Sequence, residues 1–393
     1  MRIAYICQSY PPMISGASLV VQRLAEGMAV RGHVVLVMTA SEKGEAYTEE
    51  FYNLKVRRLR AFQNPLRVDQ SFSLWDRNRI SAEFKEFKPQ ILHLHDPLSL
   101  GMAGLVTAHR LQIPVALTLH QVPRFVSAYL PNVPALQNTV ESGLWSYGRW
   151  FLQQCEKVIV PSHAIAEEIH SHDIQRPDVI SNGIDLHAFN PDPPEPGERE
   201  TLCLKYGLDP DLPVVLHVGR LDVDKQVNLV IRAAAQAINQ VGAQILIIGD
   251  GRQREELIEL CANLGIGKIC HFPGFVETNG DLPGLYRLAA VFVTASEIET
   301  QGLVILEAMA SGLPVVAVKA TSIPELVQED VNGYLSQPGE VEQMSAHVLR
   351  ILVSPDRAKE MGRVSRVLAQ EHSIDRSMDK HEVLYQSLNI NNV

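Results

Sequence analysis

A chain of 393 residues exceeds what one ordinary hydrophobic core supports, so two domains are expected. Apolar residues make up 46% and charged residues 20%, the balance of a soluble globular protein rather than a disordered or membrane-embedded one. The net charge of -10 argues against a nucleic-acid partner, which calls for a basic domain or stripe, although a local basic patch can act at a membrane within an acidic protein.

The chain begins with RIAYIC, a continuous apolar run of the kind buried on both faces of a parallel sheet. It lacks the basic segment, apolar core and cleavage site of a secretory leader, and no apolar run is long enough to cross a bilayer, so a cytoplasmic location is expected. The five cysteines, Cys7, Cys155, Cys203, Cys261 and Cys270, show no close pairing in sequence and read as reduced thiols used as small core residues. After the first strand, QSYPPMISGAS places Pro11, Pro12 and Gly16 in a tight loop ahead of a helical spacing from Leu19 to Val30. That loop is either a plain turn or a close backbone approach to a phosphate; the three-glycine dinucleotide fingerprint is absent. His33 to Thr39 and Lys55 to Arg60 read as further strands. Arg57, Arg58, Arg60 and Arg67 cluster here, as a solvated edge strand or as a surface for anionic lipid.

Ile91 to Leu94 is a strand ending in His95, Asp96 and Pro97, and Pro114 to Leu119 is another ending in His120. Successive strand ends mark the carboxyl edge of a parallel sheet, where open α/β sheets bind ligands. His93 and His95 share a strand face, but no third ligand follows at a sensible spacing, so a metal site is rejected. His120 is either a functional group or a buried structural histidine. From Asn132 to Gln154 an aromatic-rich helix carries Trp145, Tyr147, Trp150 and Phe151 beside Arg149, a pattern that suits core packing or an interface with lipid headgroups. Lys157 to Val160 is a strand, Ser162 an N-cap, and Asn182-Gly183 a turn. PDPPEPGERE then reads as a linker near the middle of the chain, so the domains are placed at 1–188 and 189–372.

Beyond the linker the α/β rhythm restarts, with strands at Val214 to Val218, Ala243 to Ile248, Ile269 to Phe272, Val291 to Thr294 and Pro314 to Val318. The first ends at Gly219 and Arg220, with Lys225 five positions on, and two cations in one such loop can neutralise a diphosphate. Gly249, Asp250 and Gly251 form another strand-to-helix turn, where Gly251 permits close backbone approach and Asp250 is either functional or a helix N-cap. In SEIETQGLVILEAMASGLPVV an apolar strand runs through a loop bearing Glu297 and Glu299 into a buried helix that opens at Gly302 and Leu303 and carries Glu307. Free N–H groups at that helix start suit an anion, and carboxylates beside it suit hydroxyls of a sugar or ribose. The plainer alternative is a solvated loop glutamate followed by a glutamate that favours the helix dipole. Glu297 is left as a bystander. Ser373 to Leu388 reads as a last helix with nothing catalytic in it.

The order SYPPMISGAS, VGRLDVDK, IIGDG, FPGFV and SEIETQGLVILEAMASG resembles glycosyltransferase family 4, retaining enzymes of the GT-B fold. The resemblance covers nearly the whole chain. It implies an α/β protein of two Rossmann-like domains facing across a cleft, with the closing helix, 373–393, returning to the N-terminal domain. Carried over, Arg220 and Lys225 hold the donor diphosphate, with Gly219, Asp250 and Gly251 in the same binding region. Glu307 takes the ribose hydroxyls. Glu299 contacts the donor sugar with the backbone after Gly302, including Leu303. Gly16 approaches the diphosphate, and His120 lies near the reacting sugar. No obligatory metal is implied, and catalysis would be mainly electrostatic. Gln301 stands where many family members have an aromatic residue. With HQVPRF, the aromatic helix and VISNGID, that looks like the branch acting on membrane glycerolipids. The implied partners are a nucleoside-diphosphate sugar, a hydroxyl acceptor of the diacylglycerol type, and an anionic membrane surface.

Overall fold

The computed structural model describes residues 1–13, 15–64, 67–127, 130, 133–192 and 197–390, with side chains 64, 67–70 and 390 left out. The middle of the expected linker, 193–196, the Arg67 side chain and part of the HQVPRFVSAY stretch therefore lie outside the described residues. The chain divides into two units. Unit 1 comprises Met1–Gly183 and Asp375–Val393, and unit 2 comprises Ile184–Ile374.

In unit 1 the strands are β1 (Arg2–Ile6), β2 (Val34–Ala40), β3 (Tyr47–Phe51), β4 (Leu54–Leu59), β5 (Phe62–Asn64), β6 (Arg67–Phe72), β7 (Ile91–Leu94), β8 (Val115–Thr118), β9 (Lys157–Val160) and β10 (Asp178–Val179). Eight of them form one sheet in the order β10-β9-β8-β7-β1-β2-β4-β3, and β5 and β6 make a separate hairpin. All pairs in the large sheet are parallel except β3 with β4. Ile3 to Ile6, Val35 to Met38 and Val115 to Leu117 are fully buried, as expected of strands covered by helices on both faces.

The strand at 54–59 is not the sheet edge expected from its charge. Tyr47–Phe51 pairs outside it as an antiparallel hairpin partner, turning at Asn53, whose φ of 56° is one that asparagine tolerates. Arg58 is consequently only 2% exposed, with Nε donating to Glu49 at 2.6 Å and a second ion pair to Glu42 at 3.3 Å. Arg57 pairs with Glu83 at 3.0 Å. Of the basic cluster's described side chains, only Arg60 stands exposed, so Arg58 contributes nothing to a lipid-facing surface.

Unit 2 holds β11 (Val214–Val218), β12 (Gln244–Ile248), β13 (Cys270–Gly274), β14 (Ala289–Val293), β15 (Val315–Val318) and β16 (Gly333–Ser336). They form one parallel sheet in the order β13-β12-β11-β14-β15-β16. Its core runs from Ile184 and Phe189 through the strands to Met361 and Ala369.

In each sheet the first strand is central, and the chain lays later strands first on one side and then on the other. The direction of winding reverses between β1 and β7 in unit 1 and between β11 and β14 in unit 2. At such reversals the helices leave to opposite faces, and a crevice opens at the strands' carboxyl ends. The helix Ile374–Ile390 closes the chain, and from Asp375 it belongs to unit 1. Among the described residues, no helix is long and apolar enough to cross a membrane.

Candidate active site

The charged residues of unit 2 gather at its winding reversal. β11 ends at Val218, and the loop from Gly219 folds into a short 3-10 turn, Val223–Lys225, before the helix Val227–Val241. β14, the adjacent strand, leads into the loop that carries Glu297 and Glu299. Lys225 Nζ donates to Glu299 Oε1 at 2.5 Å and to Ser296 Oγ at 3.4 Å. Arg220 is engaged apart from this pair. Its Nη2 donates to Asp224 Oδ2 at 2.7 Å and its Nη1 to Asp222, while 41% of its side chain stays exposed.

Three tethers hold the 294–299 loop. Thr321 Oγ1 donates to the Glu297 carbonyl at 3.0 Å, Glu299 N–H donates to Thr321 Oγ1 at 3.2 Å, and Ser322 Oγ donates to the Glu299 carbonyl at 2.9 Å. Glu297, set aside as a bystander to the chemistry, has a structural contact. Its Oε1 accepts from Gln226 Nε2 at 2.7 Å, and Gln226 sits in the left-handed region, φ 48°, between the 3-10 turn and the next helix. A non-glycine residue there costs about 1–2 kcal/mol, so the bond secures the turn that presents Lys225.

Glycines interlock the neighbouring loops. Gly249 has φ 133°, and a Cβ on it would stand 1.8 Å from the Gly219 carbonyl oxygen; one on Gly251 would stand 2.5 Å from that of Leu221. The close approach expected at Gly251 is thus made to the 219–221 backbone. Asp250 is exposed and does not cap the next helix, Arg254–Asn263, whose N-cap position is Gln253.

Gly302, φ 86°, opens the helix Leu303–Ala310, and no residue of its first turn is acidic. The Leu303 and Val304 N–H groups lie in that first turn, where a helix has no internal acceptors to offer. Glu307, the fifth helical residue, is 7% exposed and accepts from the Tyr286 hydroxyl at 3.0 Å. The dipole reading of Glu307 fails on this position. Burial, reinforced by the Glu307 charge, raises the Tyr286 pKa well above its ordinary value, which keeps the phenol a donor. Gln301 is buried at 2% exposure. His217, inside β11, donates from Nδ1 to the Val293 carbonyl (2.9 Å), and burial pushes it down to about 4, a shift that the Val293 bond opposes and the Lys225 charge supports.

In unit 1, Gly16 is the first residue of the helix Gly16–Val30, whose N-cap Ser15 exchanges bonds with Ser18 in a capping box. His120, just past β8, stacks on His95 with ring centroids 5.3 Å apart and a nitrogen pair 3.0 Å apart. The Tyr385 hydroxyl meets His93 Nδ1 at 2.6 Å and Tyr5 at 3.1 Å, and His93 Nε2 meets Thr118 Oγ1 at 2.8 Å. Burial, followed by the His381 ring, pushes His120 down to about 4. Asp96 accepts from the Gln8 and Leu98 N–H groups, and burial lifts it to about 6. The aromatic helix, Pro134–Leu152, buries Trp145 and Phe151 but leaves Trp150 48% exposed beside Tyr147, with Leu136 exposed near the other end of the helix. Among the described residues, no group of three His, Cys, Asp or Glu side chains is placed to hold a metal ion.

Of the residues singled out in the sequence, unit 2 places Gly219, Arg220, Lys225, Gly251, Glu299 and Gly302 in loops at the ends of adjacent strands, and Leu303 and Glu307 in the helix that follows. Sequence reasoning missed Tyr286, Thr321, Ser322, His217 and the Gln226–Glu297 tether. The one local signal was His217, a polar residue within an otherwise apolar strand.

Residues 198–367 match the family described as glycosyl transferases group 1, and residues 14–188 match glycosyltransferase family 4. The sulfoquinovosyl transferase SQD2 of Arabidopsis thaliana is 31% identical over 372 residues, covering 93% of this chain and 69% of the plant protein. The alpha-monoglucosyldiacylglycerol synthase of Acholeplasma laidlawii is 25% identical over 394 residues, covering 99% and 97%. Among solved structures, the sucrose-phosphate synthase of Thermosynechococcus elongatus superposes with a TM-score of 0.80 at 21% identity over 98% of both chains. The two family matches, the order of the motifs and the paired parallel sheets agree, and the chain belongs to glycosyltransferase family 4, with the GT-B fold and glycosyltransferase activity.

Proposed function

We propose that the chain is a retaining hexosyltransferase that takes a nucleoside-diphosphate sugar of the UDP-glucose kind and transfers the sugar to a hydroxyl of a diacylglycerol-type membrane lipid. The observation that carries this reading is the Lys225–Glu299 pair, 2.5 Å apart at the carboxyl edge between β11 and β14. A bound donor diphosphate gives the ammonium a stronger anionic partner and releases Glu299 to accept hydrogen bonds from sugar hydroxyls. Arg220 turns its exposed guanidinium from Asp222 and Asp224 to the same phosphates. The N–H groups of Leu303 and Val304 receive negative charge at the helix start. Glu307, oriented by Tyr286, takes the ribose hydroxyls. Negative charge grows on the departing diphosphate as the glycosidic bond breaks, so these fixed donors lower the barrier, each by about 3–4 kcal/mol where removal has been measured for comparable donors. In unit 1, the resemblance assigns close backbone approach to Gly16 and the reacting sugar to His120. His120, neutral at pH 7, serves as a hydrogen-bond partner rather than a cation.

The lipid acceptor draws support from the diacylglycerol named in the Acholeplasma relative and from the exposed Trp150 and Tyr147 beside Arg149. Such a face suits peripheral contact with anionic headgroups. The test is a panel of UDP-glucose, UDP-galactose, UDP-N-acetylglucosamine and GDP-mannose, with diacylglycerol in anionic vesicles, read by released nucleotide and by the anomeric configuration of the glycolipid. A UDP-hexose giving an α-linked glycolipid is expected. An inverted product overturns retention, and turnover only with a soluble acceptor overturns the lipid assignment.

A further inference from the structure

Two thiols away from the charged loops stand in contact. Cys261, on the helix Arg254–Asn263, and Cys270, the first residue of β13, place their Sγ atoms 3.2 Å apart. They are 1% and 9% exposed. Nothing in their spacing in sequence suggested a pair; the return of the chain from the helix into the edge strand of the sheet creates it. A disulfide bond is about 2.05 Å long, so closing the gap asks a shift of about 1 Å, which side-chain rotation supplies. Cys261 Sγ donates a hydrogen bond to Cys270 Sγ, so whichever sulfur is oxidised first has the other within reach as the resolving thiol.

We propose that Cys261 and Cys270 form an oxidation site that consumes a small peroxide and ends as an intramolecular disulfide. One of the two sulfurs, as the thiolate, attacks one peroxide oxygen and breaks the O–O bond, which gives a sulfenic acid and, after protonation of the leaving hydroxide, one water. The other sulfur then attacks the oxidised one, and the sulfenic oxygen leaves with a proton as the second water. Two thiols and one peroxide become one disulfide and two waters; the sulfurs lose two electrons and the peroxide oxygens gain them. Burial selects the small oxidant, since a bulky disulfide reaches neither sulfur without opening the corner. The bond would fasten the corner behind the 249–251 turn: the Cys261 helix follows that turn in the chain, and Gly274, at the end of β13, accepts the Gly249 N–H at 2.9 Å.

The experiment treats the full chain with hydrogen peroxide, counts thiols after denaturation, and maps the alkylated protein with trypsin under non-reducing conditions. Cleavage after Lys268 separates the two cysteines, so the disulfide appears as peptide 255–268 joined to peptide 269–287, two hydrogens lighter than the sum. The thiol count should fall from five to three and return on treatment with a dithiol reductant. The thermal midpoint should rise on oxidation, because the crosslink restrains the unfolded chain. Cys261→Ser should abolish the joined peptide and leave its remaining thiols titratable at the same peroxide dose, and Cys270→Ser serves if the first variant fails to fold. Five thiols surviving in the wild-type protein, a link to any other cysteine, or oxidation of Cys261 to sulfinic acid without a link would each overturn the proposal.

Discussion

Acidification should destabilise unit 1 before any surface carboxylate titrates. His120 and His381 both sit near 4 in the folded protein, pushed down chiefly by burial, and return to about 6.5 when the chain unfolds. Burial also holds His93 and His95 well below the ordinary range. A folded pKa below the unfolded one means that the unfolded chain binds more protons, so the stability is complete above pH 6.5 and is lost as the pH falls through 6.5 toward 4. At about pH 5.5 each such histidine forfeits about 1.4 kcal/mol, and His120 with His381 together about 3 kcal/mol. Asp96 acts in the opposite direction. Lifted to about 6 by burial, it takes up a proton in the folded state and returns about 0.8 kcal/mol at that pH. For His120, His381 and Asp96 together the loss is about 2 kcal/mol, a fall in thermal midpoint of about 4–8 °C for a unit of this size, and His93 and His95 add to it in the same direction. Differential scanning calorimetry at about pH 7.5 and about pH 5.5 measures it, with His381→Leu expected to remove roughly half of the joint contribution of His120 and His381. A midpoint that is flat or rises on acidification would refute the reasoning, because it would require these rings to be protonated in the folded protein.

Two substitutions separate binding of the donor from stability of the loops. Glu307→Ala should weaken binding of a nucleoside diphosphate tenfold or more by calorimetry, and Tyr286→Phe, which removes the 3.0 Å bond that orients the carboxylate together with a 3.3 Å contact to the Val304 carbonyl, should weaken it less; equal affinity in all three proteins would remove Glu307 from the site. Glu297→Ala should raise the donor KM several-fold with the fold intact, and adding Gln226→Gly should recover most of that loss, since glycine holds φ 48° without a tether. A double variant no better than Glu297→Ala would show that the left-handed turn is not what the tether secures.

What was legible in the sequence is what short range determines. The runs IAYIC and VFV, and VVLHV apart from His217, are buried strands because they are apolar, and the ends of β11, β7 and β8 were visible at Gly219, His95 and His120. The misreadings have one physical origin, contacts between residues far apart in the chain. The strand read as a solvated edge, Lys55 to Arg60, is covered because Tyr47–Phe51, which carries two glutamates and no apolar run, pairs with β4 after Asn53 turns the chain back. Tyr286 reaches Glu307 across 21 positions, and Gln226 reaches Glu297 across 71. No local pattern announces either bond.

The candidate site itself lies between these cases, and strand order decides it. Charged residues at the ends of β11 and β14 mark two loops, but a sequence does not say which strand ends adjoin. The chain adds β12 and β13 on one side of β11 and then crosses to set β14 on the other. That crossing puts the loop of Lys225 beside the loop of Glu299, although 74 residues separate them in the chain. Had β14 continued outward beyond β13, two strands would stand between the loops, a separation of about 15 Å at ordinary strand spacing. Neither the ion pair nor a shared ligand would then be within side-chain reach. The reversal of winding is therefore the structural cause of the site: it opens the crevice, and it also selects which of the chain's charged strand ends meet there.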